Sequence, residues 1–153
     1  MKTKSLGFLL IVAMLSLAFA FTSCIDDSID YKTSDIDLAY TSWKLMSIEP
    51  KGYNASKDQG FDVLFYDNYC MGKGDVNTFY SNYATEKGTS SIKLEDMYYS
   101  EIGGAIKAEE TYFSYLQRAR FYECIGDTIL KLYPYATSKS VYLKFKRTNK
   151  FDF

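Results

Sequence analysis

The sequence predicts a mainly β, α+β domain, in which an antiparallel sheet or partial barrel has one helix packed against it. Three observations predict this fold: a dense aromatic content, with 15 Tyr and 11 Phe among 153 residues, short segments of alternating apolar and polar residues, and one stretch of helical periodicity. Tyrosine and phenylalanine suit half-buried pleated surfaces, and alternation places every second side chain on one face of a strand. Strands on both sides of a single helix favour a sheet that the helix covers.

Strands are predicted where the alternation is bounded by turn residues. They cover residues 41–49, 61–67, 78–84, 91–96 and 141–146. A hairpin is predicted to join 121–125 to 128–133, and glycine first in the pair Gly126-Asp127 favours a two-residue type II′ turn. Gly72 and Gly74 predict a turn or bulge before the third strand.

The helix is predicted at about residues 105–118. Tyr112, Phe113 and Leu116 recur at the three-and-four spacing that lines one helix face. Glu109 and Glu110 lie near its amino end, where the helix dipole favours negative charge. A membrane-spanning barrel is the competing architecture, and this amphipathic helix argues against it.

Residues 1–23 have the profile of a lipoprotein signal peptide. Two lysines precede an uncharged apolar run from Leu6 to Phe21, which is shorter than the roughly 20 residues that a spanning helix needs. Phe21-Thr22-Ser23 before Cys24 resembles a lipobox in which phenylalanine replaces the commonest leucine. Cys24 is therefore the predicted lipid attachment site, and the alternative is ordinary cleavage that leaves it as a thiol.

Residues 24–40 are predicted to be an acidic, solvated tether, since five of them are aspartate and one is lysine. Acids behind a lipid cysteine resemble surface-export signals of some Gram-negative lipoproteins, although a plain spacer fits them equally well. We expect a lipid-anchored protein of the cell envelope, in the outer membrane of a Gram-negative bacterium, with its periplasmic or surface face left open. Residues 41–147 then form the domain, and residues 148–153 form a C-terminal tail.

The sequence contains no histidine. This excludes the Ser-His-acid triad, the Cys-His pair and the usual catalytic zinc site. An enzyme would have to use carboxylates, but the adjacent pairs Glu95-Asp96 and Glu109-Glu110 are more typical of solvated strand ends and helix starts. The domain has nearly equal numbers of acids and bases and no basic run, so nothing favours nucleic acid as a partner. We therefore predict no enzymatic activity, no catalytic residue, no metal and no cofactor.

Cys70 and Cys124 are the cysteines left once Cys24 is acylated. They either form a disulfide in the oxidising envelope or stay as two buried thiols. The aromatic residues likewise have two interpretations, either as a core and its rim or as a platform or cavity for a glycan or a greasy ligand.

Several segments, taken in order, resemble one known family. They are TSWKL around Trp43, GDVNTFYSNYATEKG from Gly74 to Gly88, EETYFSYL, and ILKLY followed by VYLKFKR. Together they resemble the META domain, the family of the heat-inducible lipoprotein HslJ, over about residues 41–147. The resemblance implies a small envelope domain without an accepted reaction. It also implies structural roles for Trp43, Gly74, Asn77, Phe79 and Tyr83.

The chain departs from the family pattern at its cysteines. Val76 stands where the Gly-Cys-Asn-x-Phe run of the family has cysteine, and the second family cysteine, expected near Gly103 or Gly104, is missing. Cys70 and Cys124 are not assumed to replace that pair. Asn77 remains, and its amide either closes a turn by binding nearby backbone or contacts a ligand.

The predicted function is that of a membrane-anchored, non-catalytic module that acts through contacts with an unknown envelope protein, which the resemblance associates with envelope stress. The alternative is a lipid- or glycan-binding module with an aromatic-lined cavity. A cavity requires Tyr or Phe side chains that point inward around unfilled space, whereas a contact module has a filled core and an exposed aromatic patch.

Overall fold

The structure, a computed structural model, describes residue 31 and residues 36–54 and 60–149, and within this part of the chain it confirms the predicted fold class. One antiparallel sheet curls into a half-barrel, and one helix packs against it. The described elements are β1 (Thr41–Glu49), β2 (Tyr53–Asn54), β3 (Asp62–Phe65), β4 (Tyr69–Lys73), β5 (Thr78–Thr85), β6 (Ile92–Tyr99), α1 (Lys107–Gln117), β7 (Phe121–Ile125), β8 (Ile129–Tyr133) and β9 (Tyr142–Thr148).

The strand order in the sheet is β6-β5-β4-β3-β1-β9-β8-β7, with β2 paired to β1. The first long strand therefore lies beside the last one, and their pairing extends from Ser42 opposite Thr148 to Glu49 opposite Tyr142. This order divides the sheet into two halves. The β3–β6 half comes from the first part of the domain, and the β7–β9 half comes from the part that follows the helix.

The two edges of the curled sheet meet at one end. Ser91, before β6, forms an antiparallel bridge with Phe121 of β7. Two backbone hydrogen bonds support it, from Ile92 N to Arg120 O at 2.9 Å and from Tyr122 N to Ser90 O at 2.8 Å. Because the sheet curls round until its edges touch, the outer surfaces of its two halves point away from each other.

Helix α1 packs inside the curl against β1, β6, β8 and β9, and its bounds lie within the predicted range. Tyr112, Phe113 and Leu116 are buried, as the periodicity predicted. The Tyr112 ring lies 5.3 Å from that of Phe61, and its hydroxyl donates to the Asp62 carbonyl at 2.8 Å. This buried aromatic residue fixes the centre of the helix to the sheet.

Strand β4 was missed by the sequence analysis, which placed a turn or bulge around Gly72 and Gly74. Gly72 lies inside the strand. A Cβ atom at this position would lie 2.1 Å from the Asp62 carbonyl oxygen and 2.8 Å from the Phe79 ring. The glycine therefore allows a close approach between strands, which is the other common reason for glycine in a strand.

The hairpin between β7 and β8 also differs in detail. Ile125 pairs with Ile129, so the loop contains residues 126–128, and the predicted two-residue turn is wrong. Gly126 has φ 53, a backbone conformation that glycine adopts without the steric cost that a side chain would bring.

Two residues of the segment predicted as a solvated tether pack on the domain. Leu38 is 1% exposed and belongs to the core, and Tyr31 is 7% exposed. The Tyr31 ring stacks on Phe121 with 4.3 Å between centroids, and its hydroxyl donates to the Tyr135 carbonyl at 2.9 Å. The acidic composition of the segment concealed these two apolar positions, and the packed part of the chain begins before residue 41.

Candidate functional site

The outer side of the β3–β6 half carries a group of tyrosines. Alternation on β4 and β5 points Cys70 and Phe79 into the core, so their strand neighbours Tyr69 and Tyr80 point outward. We refer to the outward tyrosines of this half as the tyrosine face, which consists of Tyr66, Tyr69, Tyr80 and Tyr98.

The rings of the tyrosine face are ordered by contact with one another. The Tyr69 ring is stacked between Tyr66, at 4.6 Å and 13°, and Tyr80, at 5.4 Å and 27°. Tyr98 of β6 lies opposite Tyr80 of β5. Tyr80 is 42% exposed and Tyr98 is 68% exposed. The face is therefore an aromatic surface that faces solvent. Each tyrosine side chain has only two rotatable bonds, so immobilising it on binding costs little conformational entropy.

A groove of about 360 Å³ lies beside this face. Tyr80 and Tyr98 form one part of its lining, and Met71, Thr78 and Ser100 form another. Rings and a thioether supply apolar surface, while the hydroxyls supply donors and acceptors at its margin. This combination suits an apolar side chain, and it also suits the face of a sugar ring.

The rings that point inward are in contact with one another. Phe79 lies 5.8 Å from Phe113, and Phe65 lies 4.9 Å from Tyr83, both in edge-to-face geometry. Trp43 is fully buried, and its indole N–H donates to Thr41 Oγ1 at 2.7 Å. These contacts fill the space between sheet and helix, which is the arrangement expected of a packed core.

A buried carboxylate holds the turn that precedes the β5 part of the tyrosine face. Glu109 of α1 is 1% exposed. Its Oε2 accepts hydrogen bonds from the backbone N–H groups of Val76 at 2.7 Å and Asn77 at 3.1 Å. Successive N–H groups that converge on one anion form a nest. Here the anion belongs to the chain itself, so the turn is tied to the helix.

Gly74 makes this contact sterically feasible. A Cβ atom at residue 74 would lie 2.4 Å from Glu109 Oε2 and 2.6 Å from its Cγ. The Gly74 N–H donates to the Asn77 carbonyl at 2.7 Å and closes the turn. Glycine at this position is thus required by the carboxylate that occupies the turn.

Asn77 joins the turn to the segment after β6, and it is 6% exposed. Its Oδ1 accepts from the Ile102 N–H at 2.7 Å and from Ser100 Oγ at 3.1 Å. Its Nδ2 donates to Glu109 Oε1 and to the Ile102 carbonyl. Both the oxygen and the nitrogen of the Asn77 amide are hydrogen-bonded to the protein, so the side chain holds the turn to the segment after β6.

Glu109 is held as a carboxylate. Burial alone would raise its pKa, but hydrogen bonds from the Asn77 side chain and from the backbone of Val76, Asn77 and Asp75 outweigh burial, so that its pKa lies below its ordinary value. A charged acceptor strengthens these hydrogen bonds relative to those of a neutral group.

The remaining motif residues lie in or beside the core. Phe79 is 3% exposed, and Trp43 lies under the Arg147 guanidinium, whose carbon is 5.7 Å from the indole ring. The Tyr83 hydroxyl donates to the Tyr66 carbonyl at 2.7 Å, at the base of the tyrosine face. These contacts are structural, and none of them leaves a side chain presented to solvent.

Of the two cysteines in the described residues, Cys70 on β4 is buried and Cys124 on β7 is half-buried, and they are not bonded to each other. Their strands, β4 and β7, are not neighbours in the sheet. Burial raises the pKa of the Cys70 thiol to about 12. Such a thiol is unreactive near neutral pH.

The acidic pairs that the sequence offered for catalysis point in different directions. Glu109 is buried in the turn, whereas Glu110 is exposed. Glu95 pairs with Lys93 on the surface, and Asp96 occupies an irregular position of β6 with φ 51. Within the described ranges, no group of three acidic or cysteine side chains is placed to hold a metal ion.

The tyrosine face was not identified from the sequence, because β4 was not identified. The available signal was that Tyr69, Met71 and Lys73 alternate along the chain with Cys70 and Gly72. Such alternation predicts a strand. With β4 placed between β3 and β5, the outward tyrosines of neighbouring strands would have been recognised as one surface.

Two solved structures resemble the fold. One is a crystal structure of a DUF4847 family protein from Bacteroides vulgatus, with a TM-score of 0.55, 14% identity and coverage of 74% of this chain and 96% of that one. The other is an NMR structure of a protein from Burkholderia xenovorans, with a TM-score of 0.53, 13% identity and coverage of 79% and 97%. At these identities the likeness concerns the fold.

No family model matches the sequence, and no curated protein matches it. The resemblance to the META family therefore stays a prediction. Cys24 lies outside the described residues. Within the described residues, no helix is long and apolar enough to cross a membrane.

Proposed function

We propose that this chain is a lipid-anchored envelope protein whose domain is a non-catalytic contact module, and that it binds a partner protein through the tyrosine face. The observation that carries the proposal is an exposed, stacked set of tyrosines outside a core filled by other aromatic rings. Tyrosine is enriched at the energetic centres of protein interfaces, since it contributes a large contact area and a polar tip.

The second candidate is a glycan-binding groove at the same place. Tyr80 and Tyr98 line the groove together with the hydroxyl residues Thr78 and Ser100. Sugar recognition uses aromatic faces together with a few placed hydrogen-bonding groups. The inward cavity of the sequence-based alternative has less support, because the inward rings are in contact.

Native mass spectrometry of the full-length protein, extracted gently from its own membrane, tests the proposal. Tyr80→Thr with Tyr98→Thr removes the exposed rings and keeps residues that suit strands. Tyr40→Asn is the matched control, because Tyr40 is 65% exposed on a turn and its φ of 59 is one that asparagine adopts readily.

We expect a protein that co-purifies with the wild type and with Tyr40→Asn to be lost from the double variant, while the thermal unfolding temperature changes little. A retained sugar mass that disappears in the same way would favour the groove. A partner protein that the double variant still retains would contradict binding through the tyrosine face.

A further inference from the structure

The outer side of β1 and of the β7–β9 half carries lysines in directly opposed positions. Lys131 of β8 is opposite Lys144 of β9, and Lys44 of β1 is opposite Lys146 of β9. Directly opposed residues of antiparallel strands share one side of the sheet and lie about 5 Å apart at Cβ, where like charges repel. We refer to these four side chains as the lysine face.

Few acids offset this charge. Glu123 lies 3.7 Å from Lys131, Asp62 is opposite Lys44 at the border of the face, and Glu49 is opposite Tyr142 at the end of β1. In the described part of the chain, no acidic side chain lies within ion-pair distance of Lys144 or Lys146. The sequence showed no basic run because the lysines come from separate strands, and the basic surface exists only in the fold.

The lysine face is part of a wider charge asymmetry. Residues 118–149 contain seven basic and two acidic residues, whereas the described residues from 36 to 117 contain six basic and eleven acidic residues. The part of the chain that forms the β7–β9 half is therefore more basic than the part that precedes it.

The N-terminal segment meets the domain on this same outer side. Tyr31 stacks on Phe121 at 4.3 Å and contacts the Tyr133 ring at 4.9 Å. The Lys139 ammonium lies 4.8 Å over the Tyr31 ring. Tyr133 in turn contacts the ring of Tyr142, which precedes Lys144 by two positions on β9 and so shares its side.

The distance from this point to the anchor is short. Seven residue steps separate Cys24 from Tyr31, and seven steps of fully extended chain span about 25 Å at most. The next step rests on the proposed function, in which Cys24 carries the lipid. With that anchor, Tyr31 stays within about 25 Å of the lipid head groups, which favours an orientation in which the side of the domain that carries Tyr31 faces the membrane.

We propose that the lysine face rests on the head-group phosphates of the leaflet that holds the Cys24 lipid. Basic side chains are attracted to an anionic leaflet within about one Debye length. Tyrosines beside the lysines suit a membrane surface, because their rings are amphipathic. Since the two halves of the sheet point away from each other, this orientation presents the tyrosine face to the envelope compartment.

The competing occupant of the lysine face is the acidic segment itself, through Asp26, Asp27 and Asp30. The two occupants differ in their dependence on lipid. A membrane surface protects the lysines only when anionic lipid is present, whereas the aspartates protect them in any medium.

The test uses full-length acylated protein in phosphatidylcholine vesicles, in vesicles of phosphatidylcholine with phosphatidylglycerol, and in neutral detergent. An amine-acylating reagent is applied, and peptide mass spectrometry measures the labelling rates of Lys144 and Lys146. Lys93 is the internal control, because its side chain is 64% exposed and lies on β6 in the opposite half. The same spectra report the acylation of Cys24.

We expect Lys144 and Lys146 to react about threefold or more slowly on the phosphatidylglycerol vesicles than on the neutral ones, with Lys93 unchanged and the difference removed by high salt. Equal rates in all three media would overturn the proposal. Rates as fast as that of Lys93 would mean that nothing covers the lysines, and equally slow rates would assign the lysine face to the aspartates. An unmodified Cys24 would contradict the anchor itself, whereas an acylated chain with unprotected lysines would contradict only the orientation.

Discussion

The two outer surfaces of the sheet differ although one continuous hydrogen-bonded ladder joins them. The tyrosine face on β3–β6 consists of rings that contact one another, whereas the lysine face on β1, β8 and β9 consists of charges that repel one another. The inner surfaces of the two halves are alike, since both contribute buried aliphatic and aromatic residues to one core. Core packing therefore determines the inward positions and leaves the outward positions available for different partners.

The two halves also differ in what holds them. The β3–β6 half is tied to the helix by the Glu109 carboxylate, which binds the turn before β5. The β7–β9 half is covered at one end by Tyr31. If this comparison is right, variants at the two ties destabilise different halves. Hydrogen exchange read strand by strand can separate such local effects.

The largest effect is expected from Glu109→Gln. The amide nitrogen replaces one of the two acceptor oxygens. In either orientation it faces donors, which are the backbone N–H groups of Val76 and Asn77 or the Asn77 side-chain amide, so we expect a loss of about 3 kcal/mol in the free energy of unfolding by urea. Glu110→Gln, its exposed neighbour, is the control and should change stability by less than about 0.5 kcal/mol. Faster hydrogen exchange should be concentrated at residues 74–80 and 98–102. Uniform acceleration in both halves would contradict a local tie.

Tyr31→Ala is expected to lower the free energy of unfolding by a smaller amount, about 2 kcal/mol. The change removes the stack on Phe121 and uncovers Tyr133, which is 2% exposed although it points outward. Tyr31→Phe keeps the stack, loses the hydrogen bond to the Tyr135 carbonyl and should cost about 1 kcal/mol or less. Urea unfolding measures both. An unchanged midpoint for Tyr31→Ala would mean that this contact does not hold the N-terminal segment, and the predicted orientation would lose its fixed point.

The pH dependence of stability sharpens the assignment of Glu109. Its pKa is lowered by folding, so its carboxylate stabilises the fold above its ordinary pKa of about 4.5, and this contribution is lost as the pH falls through the lower pKa of the folded state. We therefore expect the stability difference between wild type and Glu109→Gln to be constant near neutral pH and to narrow in acid. A difference that widened in acid would contradict a charged Glu109.

The sequence predicted the elements that have strong periodicity and missed those that depend on distant partners. Helix α1 and strand β1 were predicted because Leu116 and Trp43 lie in clear apolar patterns. Strand β4 was missed because its Gly72 was interpreted as a local turn signal, while the reason for it is the Asp62 backbone across the sheet. The role of Glu109 was missed for a similar reason, since its donors lie 32 and 33 residues away.

Both surfaces were hidden in the sequence by the same cause. Outward residues of neighbouring strands are adjacent in space but separated in the chain, so neither the stacked tyrosines nor the opposed lysines form a run. Tyr31 was hidden by the acids around it. Composition averages over a segment, whereas a single aromatic residue is enough to dock it.

The smallest effect is expected from relieving the opposed lysines. Lys144→Thr with Lys146→Thr removes both like-charge pairs and introduces residues that suit strands. We therefore expect the free energy of unfolding to increase by about 0.5 kcal/mol at low ionic strength, and this increase should disappear in high salt. Lys93→Thr is the control in the β3–β6 half, and there we expect a loss of a few tenths of a kcal/mol, because Lys93 pairs with Glu95. Urea unfolding at two salt concentrations measures both. If the double variant instead loses stability at low salt, the lysines are already neutralised within the chain, and the acidic segment rather than an anionic membrane is what they face.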